Sequence, residues 1–288
     1  GLMPSERSHH PWRPPCTARR LRALRRLLMR CTKEAFWDSI LNATTTPTAL
    51  HHDEYEDSRE IRTIKINRVR ATPQRLASTY SNAERLRYSV FGQLYREMKS
   101  MPLRVFRRAY VGKGHGGQRR AFKVKFLGEG VDDYGGPYRA VFDQVVEELQ
   151  GNVLTIQKMA DRTSTESPGG VRKPARVETA QGQCLLPVLI PTPNQEHSTA
   201  INQEKFIFSP GRTSNQQLEL ASFLGRMMGM SARHRLKMGL DLPNVVWFPL
   251  AGETLSLEQL AQVDSMAQRL LQRIANHKQA HRTELGHC

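Results

Sequence analysis

The stretch from Phe122 to Gln150, FKVKFLGEGVDDYGGPYRAVFDQVVEELQ, constrains the fold more than any other part of the chain. Phe122, Val124 and Phe126 alternate with Lys123 and Lys125, the two-residue period of a strand with one buried face. Gly128, Gly130, Asp132, Asp133, Gly135 and Gly136 follow, a turn that can take positive φ at several places. Pro137 suits the first helical position, where its missing N–H costs nothing. Tyr138, Val141, Phe142, Val145 and Leu149 then form one apolar helical stripe. Asp132 and Asp133 stand near the positive end of that helix's dipole. As paired acids they could also serve a metal or acid–base site, but no third ligand or histidine lies at useful spacing, so the structural reading is preferred.

The flanking sequence is organised around this unit. Residues 1–17 are rich in Pro, Ser and His without a period and read as a disordered leader. Residues 18–60 hold a basic amphipathic helix and an acidic connector. The helix is predicted from Ala18 to about Leu41, with Leu21, Leu24, Leu27 and Leu28 on one side and arginines on the others. The connector contains Asp53-Glu54-Tyr55-Glu56-Asp57. Ile61, Ile64, Ile66 and Val69 predict an extended segment, and Leu86, Val90, Leu94 and Met98 predict a helix over about 82–98. The Gly112–Gly117 cluster lacks phosphate-loop spacing and reads as a flexible loop.

Beyond Gln150 the signal weakens, with a mobile insert expected at about 158–183. Cys184 to Pro191 reads as a short buried edge strand, because of its prolines. Gln216 to about Lys237 predicts a long helix buried through Leu220, Leu224, Met227 and Met228. Gly225 and Gly229, one turn apart, suggest close packing against another helix. Trp247 and Phe248 are expected as a buried aromatic pair, and Ser256 to Gln259 as a capping box. Asp264 should cap a last helix with the stripe Met266, Leu270 and Ile274. Residues 281–288 read as a truncated tail.

The 288 residues suffice for one large domain or two ordinary ones. Lys and Arg number 43 against 27 Asp and Glu, a net charge of +16 that favours polyanionic partners. No apolar run approaches the roughly 18 residues of a membrane span. Cys16, Cys31, Cys184 and Cys288 are far apart, which argues against a disulfide scaffold or a zinc ribbon and for a reducing compartment. The expected address is intracellular, in the cytoplasm or the nucleus. His9-His10 and His51-His52 read as solvated histidines, so no metal and no cofactor is expected.

Three ordered motifs resemble the N-terminal lobe of a HECT-type ubiquitin ligase, over about Ile61 to Ile274. FKVKFLGEGVDDYGGPYRAVF is similar to the family signature of a strand ending in glycine and acid, then D-x-G-G, then an arginine on the next helix. Those positions are Gly128, Glu129, Asp133, Gly135, Gly136 and Arg139. FLGRMMGMSARHRLKMGLDLP resembles the family's helix with two glycines, Gly225 and Gly229, running into a leucine-proline turn at Pro243. LSLEQLAQVD resembles the segment after it. One departure is Met230-Ser231-Ala232-Arg233-His234, where the family has apolar and small residues.

The resemblance implies an α+β, mainly helical, incomplete HECT N-lobe-like fold over residues 61–280. It implies transfer of ubiquitin from a conjugating enzyme to a ligase cysteine as a thioester, then to a substrate lysine. The partners implied are the conjugating enzyme and ubiquitin. No cysteine here matches the catalytic position, so this chain is expected to be an inactive scaffold that stops before the cysteine-bearing lobe. The rival reading is a non-catalytic basic protein that binds nucleic acid or a protein partner. It rests on the charge and the arginine-rich helix, and no zinc-finger, RRM or helix-turn-helix pattern accompanies them.

Overall fold

The computed structural model describes residues 24, 27–48, 61–111, 117–130, 135–164, 184–196, 201–211 and 213–285. The fold is α+β and mainly helical, with two small two-stranded sheets. Along the chain run α1 (Arg30–Ala43), β1 (Thr63–Ile66), α2 (Pro73–Ser78), α3 (Asn82–Tyr88), α4 (Val90–Met98) and α5 (Leu103–Phe106). Then come β2 (Lys123–Phe126), α6 (Gly136–Gln150), α7 (Val153–Ser164), β3 (Leu189–Pro191), α8 (Pro193–Glu196) and β4 (Phe206–Phe208). The last four are α9 (Asn215–His234), α10 (Asn244–Leu250), α11 (Leu257–Ala261) and α12 (Ser265–Leu285). Two compact units divide after Thr45.

In the first unit, where a helix is predicted from Ala18, Leu24 is helical and a described helix begins at Arg30; the other residues from 18 to 26 lie outside the described residues. Met29 is extended, with φ −61° and ψ 151°, and stops helical continuity there. Arg30 and Glu34 pair at 2.7 Å one turn apart, and Phe36, Trp37 and Ile40 are exposed. The leader, the arginines before Leu27 and the acidic connector lie outside the described residues.

In the second unit β1 and β2 pair in parallel, Thr63 opposite Lys123 through Ile66 opposite Phe126. A parallel pair needs a long crossover, and α2 to α5 supply it. Ile64, Ile66, Val124 and Phe126 point into the core, as the alternation predicts, while Lys65 and Lys125 face out. The stripe of α6 is buried at every predicted position, Tyr138, Val141, Phe142, Val145 and Leu149. Phe122 and Phe142 flank the Tyr138 ring at centroid distances of 4.9 and 5.3 Å. Each large apolar side chain buried this way contributes about 1.5–3 kcal/mol.

Leu86, Val90, Leu94 and Met98 are buried as predicted, but two helices carry them. The break is at Ser89 (ψ 152°), whose hydroxyl accepts the Gly92 N–H as a cap on α4. Gly92 is required there, because a Cβ would sit 1.5 Å from the Leu86 carbonyl oxygen. Phe91 and Tyr95 of α4 pack on Phe223 of α9 at centroid distances of 5.4 and 5.6 Å, joining the first half of the core to the second.

The weak-signal region holds α7 over its first part, and residues 165–183 lie outside the described residues. Cys184 is buried, and β3 pairs antiparallel with β4. In a two-stranded sheet both strands are edges, which is why Pro191 is tolerated. The Ser256 capping box and the Asp264 cap form as expected, with Gln259 Oε1 accepting from Ser256 N–H at 2.7 Å and Asp264 Oδ1 from Ala267 N–H at 2.8 Å. Two expectations fail at this end. Trp247 is 39% exposed, its indole N–H donating to the Leu242 carbonyl, and the α12 stripe Met266, Leu270 and Ile274 is also exposed.

Candidate functional site

The strand–turn–helix is held by a buried polar network that no single segment supplies. Gly128 takes φ +83° at the end of β2, and Gly135 takes φ +100° as the N-cap of α6. Both are left-handed conformations that favour glycine. Gly136 is the first residue of α6, which places Pro137 second. Asp132 and Asp133 lie outside the described residues, as do Gly112 to Gly116.

Glu129 pairs with Arg68, whose Nε donates to Oε1 at 3.0 Å and whose Nη2 donates to Oε2. The Arg68 guanidinium also lies 3.8 Å above the Phe126 ring. The turn is thereby tied to the loop after β1. Arg139 Nε donates to Gln118 Oε1 at 2.7 Å, and Gln118 Nε2 donates to the Arg119 carbonyl at 2.8 Å.

His234, in the segment that departs from the family pattern, completes the network. Its Nε2–H donates to the Arg108 carbonyl at 2.7 Å, so Nδ1 accepts from the Tyr138 hydroxyl at 3.0 Å. The Tyr138 oxygen in turn accepts the Ala121 N–H at 3.3 Å. Burial, above all, holds His234 down at about 4, with Arg233 and Arg119 adding to the effect. The imidazole is neutral near pH 7 and works as a structural bridge.

Gly225 and Gly229 do not fulfil the close-packing expectation. Both are exposed, and a Cβ on either would meet nothing within 4 Å. Leu220, Phe223, Leu224, Met227 and Met230 turn the opposite face of α9 into the core. Pro243 is the buried N-cap residue of α10. Near it the Asp241 N–H donates to Gln150 Oε1 at 2.6 Å, fastening the end of α6 to the leucine-proline turn.

Glu148 was not singled out in the sequence, yet it is almost fully buried. Its two oxygens accept the Val90 and Phe91 N–H groups at 2.7 and 2.9 Å, capping α4 from a different helix. Desolvation pushes its carboxyl up to about 8, against the pull of those two bonds. The signal was present: position 148 continues the stripe through Val141 and Val145 at helical spacing.

An open groove of about 680 Å³ lies between the end of α4 and the start of α9, lined in part by Tyr95, Lys99, Glu219 and Arg226. The Tyr95 hydroxyl donates to the Glu219 carboxylate, and burial followed by that bond pushes it up to about 12. The hydroxyl therefore stays protonated at neutral pH. Cys31 is exposed and Cys184 buried, while Cys16 and Cys288 lie outside the described residues. Among the described residues no group of three or more His, Cys, Asp or Glu could hold a metal ion, and no helix is long and apolar enough to cross a membrane.

Residues 185–287 match the HECT-domain (ubiquitin-transferase) family. Over that stretch the chain is similar to part of a HECT domain. It is 27% identical over 241 residues to E3 ubiquitin-protein ligase HERC2 of Homo sapiens, covering 84% of this chain and 4% of that protein. The Mus musculus HERC2 is 26% identical over the same coverage. Probable E3 ubiquitin-protein ligase HECTD4 of Homo sapiens is 25% identical over 83% of this chain and 5% of its own length. The chain therefore spans a small fraction of the curated relatives it matches. No solved structure matches it. The HECT match begins within the buried element before β3 and takes in α9 with both glycines, Pro243 and the capped helices α11 and α12.

Proposed function

We propose that these residues are the scaffold portion of a ligase that takes ubiquitin from a conjugating enzyme as a cysteine thioester and passes it to a substrate lysine. The observation that carries the reading is the HECT match over 185–287, on a chain whose similarity to E3 ubiquitin-protein ligases extends over 84% of its length. Gly128, Glu129, Gly135, Gly136 and Arg139 frame the turn between β2 and α6, with Asp133 outside the described residues, and Pro243 leads into α10. Gly225 and Gly229 mark the outer face of α9. The conjugating enzyme and ubiquitin are the partners, and the cytoplasm is the place of action.

Among the described residues neither cysteine is the acceptor. Cys184 is buried at an isolated bridge with Asn152, and Cys31 sits on the exposed surface of α1. A nucleophilic thiolate needs access together with a base or a cationic setting. The test is a non-reducing gel after the chain is mixed with ubiquitin-charged conjugating enzyme. The expected result is that no reducible ubiquitin adduct forms on the chain. An adduct that disappears in Cys31→Ser or Cys184→Ser would overturn the scaffold assignment.

A further inference from the structure

A basic corner forms where the end of α5, the residues around Gln118 and the C-terminal end of α9 meet. His234 pins it together: Nε2 donates to the Arg108 carbonyl, and Gln118 Nε2 reaches the His234 carbonyl at 3.4 Å. Tyr110 and Arg120 exchange backbone hydrogen bonds at 3.0 and 2.9 Å. Farther up α9, the Arg226 guanidinium lies 5.2 Å from the centre of the Phe106 ring. Arg104, Arg107, Arg119 and Arg226 reach the surface around this corner, while Arg233 is buried.

These cations are close enough to affect one another. Burial first and then Arg107 lower Arg233 from its ordinary value, and Arg233 and Arg119 both help to lower His234. Among the described residues Arg104, Arg107, Arg119 and Arg226 take part in no ion pair. The C-terminal end of α9 is worth only about half a negative charge, so it offsets a small part of the excess.

We propose that this corner is a docking surface for an acidic protein segment that also carries apolar side chains. Guanidinium forks match carboxylates bidentately. The apolar component follows from Leu103 and Val111, exposed at 57% and 45% on either side of the run from Arg104 to Arg108. A single-stranded nucleic acid fits less well, because stacking needs free aromatic faces. Phe106 is buried and Tyr110 half-buried. The inference goes beyond ubiquitin transfer and does not depend on it.

The test is fluorescence anisotropy with the full 288-residue chain and a labelled peptide of alternating acidic pairs and leucine. The corner variant is Arg104→Gln/Arg107→Gln/Arg119→Gln. Its control, Lys65→Gln/Arg75→Gln/Lys125→Gln, removes the same charge from exposed positions elsewhere. The corner variant should bind the peptide roughly tenfold or more weakly, and the control within about twofold of wild type. Equal losses in the two variants, or no binding by wild type, would overturn the proposal. So would a single-stranded RNA of equal charge that binds more tightly than the peptide. Should the corner variant lose its circular-dichroism melt, hydrogen exchange of the wild type decides. The peptide must then slow exchange in residues 103–111 and 232–236, and protection elsewhere or nowhere would refute the assignment.

Discussion

Glu148→Gln isolates the buried carboxyl that caps α4. Glu148 accepts two N–H groups, and both carboxyl oxygens keep a lone pair whether or not the group is protonated. Glutamine offers one oxygen and turns an N–H₂ toward the second donor, leaving one buried N–H without an acceptor. That loss costs about 1–3 kcal/mol. Its pH dependence runs the other way from that of a salt-bridged acid. Burial raises the carboxyl from 4.5 to about 8, so across that window the folded state keeps a proton that the unfolded state has released. Wild-type stability carried by this group is fullest below pH 4.5 and falls as pH climbs, by up to ~1.4 kcal/mol per pH unit. Glutamine does not titrate. Urea melts of both proteins at pH 5, 6.5 and 8 should therefore show the wild-type advantage shrinking, and inverting if the full window is realised. Parallel stability curves would refute the neutral buried carboxyl. Glu148→Ala orphans both donors and leaves a cavity, and should cost about 3–5 kcal/mol at pH 5, a cost that shrinks as pH rises because alanine does not titrate either.

Three further outcomes follow from particular side chains. Gly135→Ala forces a Cβ into a φ of +100° and should destabilise by about 1–2 kcal/mol, read as a fall in Tm of a few degrees. Gly225→Ala/Gly229→Ala, on the open face of α9, should raise Tm, since Ala is favoured by about 1 kcal/mol per position in a helix interior; a fall would restore the close-packing reading. His234→Phe strands the Tyr138 hydroxyl and the Arg108 carbonyl, at about 1–3 kcal/mol. Because His234 is held at about 4, below its ordinary 6.5, the wild type also loses stability as pH falls through that interval. His234→Phe should flatten that acid limb in a pH series of thermal melts.

Periodicity made the apolar half of the core legible. The stripes of β2, α6 and α9 place the side chains that the structure buries, and the glycine turn sits where the strand pattern gives way to the helix pattern. Polar groups were harder to place because their meaning comes from partners far along the chain. His234 continues the buried side of α9 past Met227 and Met230, but only Tyr138 and the Arg108 carbonyl, over a hundred residues away in the latter case, make it a bridge. The four-residue stripe from Leu86 to Met98 likewise hides a helix break, since Ser89 uses one position as a cap without disturbing the spacing. Spacing also misleads when it stands without burial. Gly225 and Gly229 fit a helix-crossing pattern, yet the broad apolar side of α9 lies opposite them and takes the core. Trp247 and the stripe of α12 were expected inside on hydrophobicity alone, and hydrophobicity does not dictate burial for each side chain.

The central claim is that these residues form the scaffold of a ubiquitin-transferring ligase. It is tested most directly by capturing the endogenous protein with an antibody against residues 136–150 and challenging it with a panel of ubiquitin-charged conjugating enzymes. The account predicts a ubiquitin adduct on the captured protein that is lost under thiol reduction, and none on the isolated 288-residue chain. Captured protein that stays unmodified by every enzyme of the panel, while a known HECT ligase is charged in parallel, would contradict it.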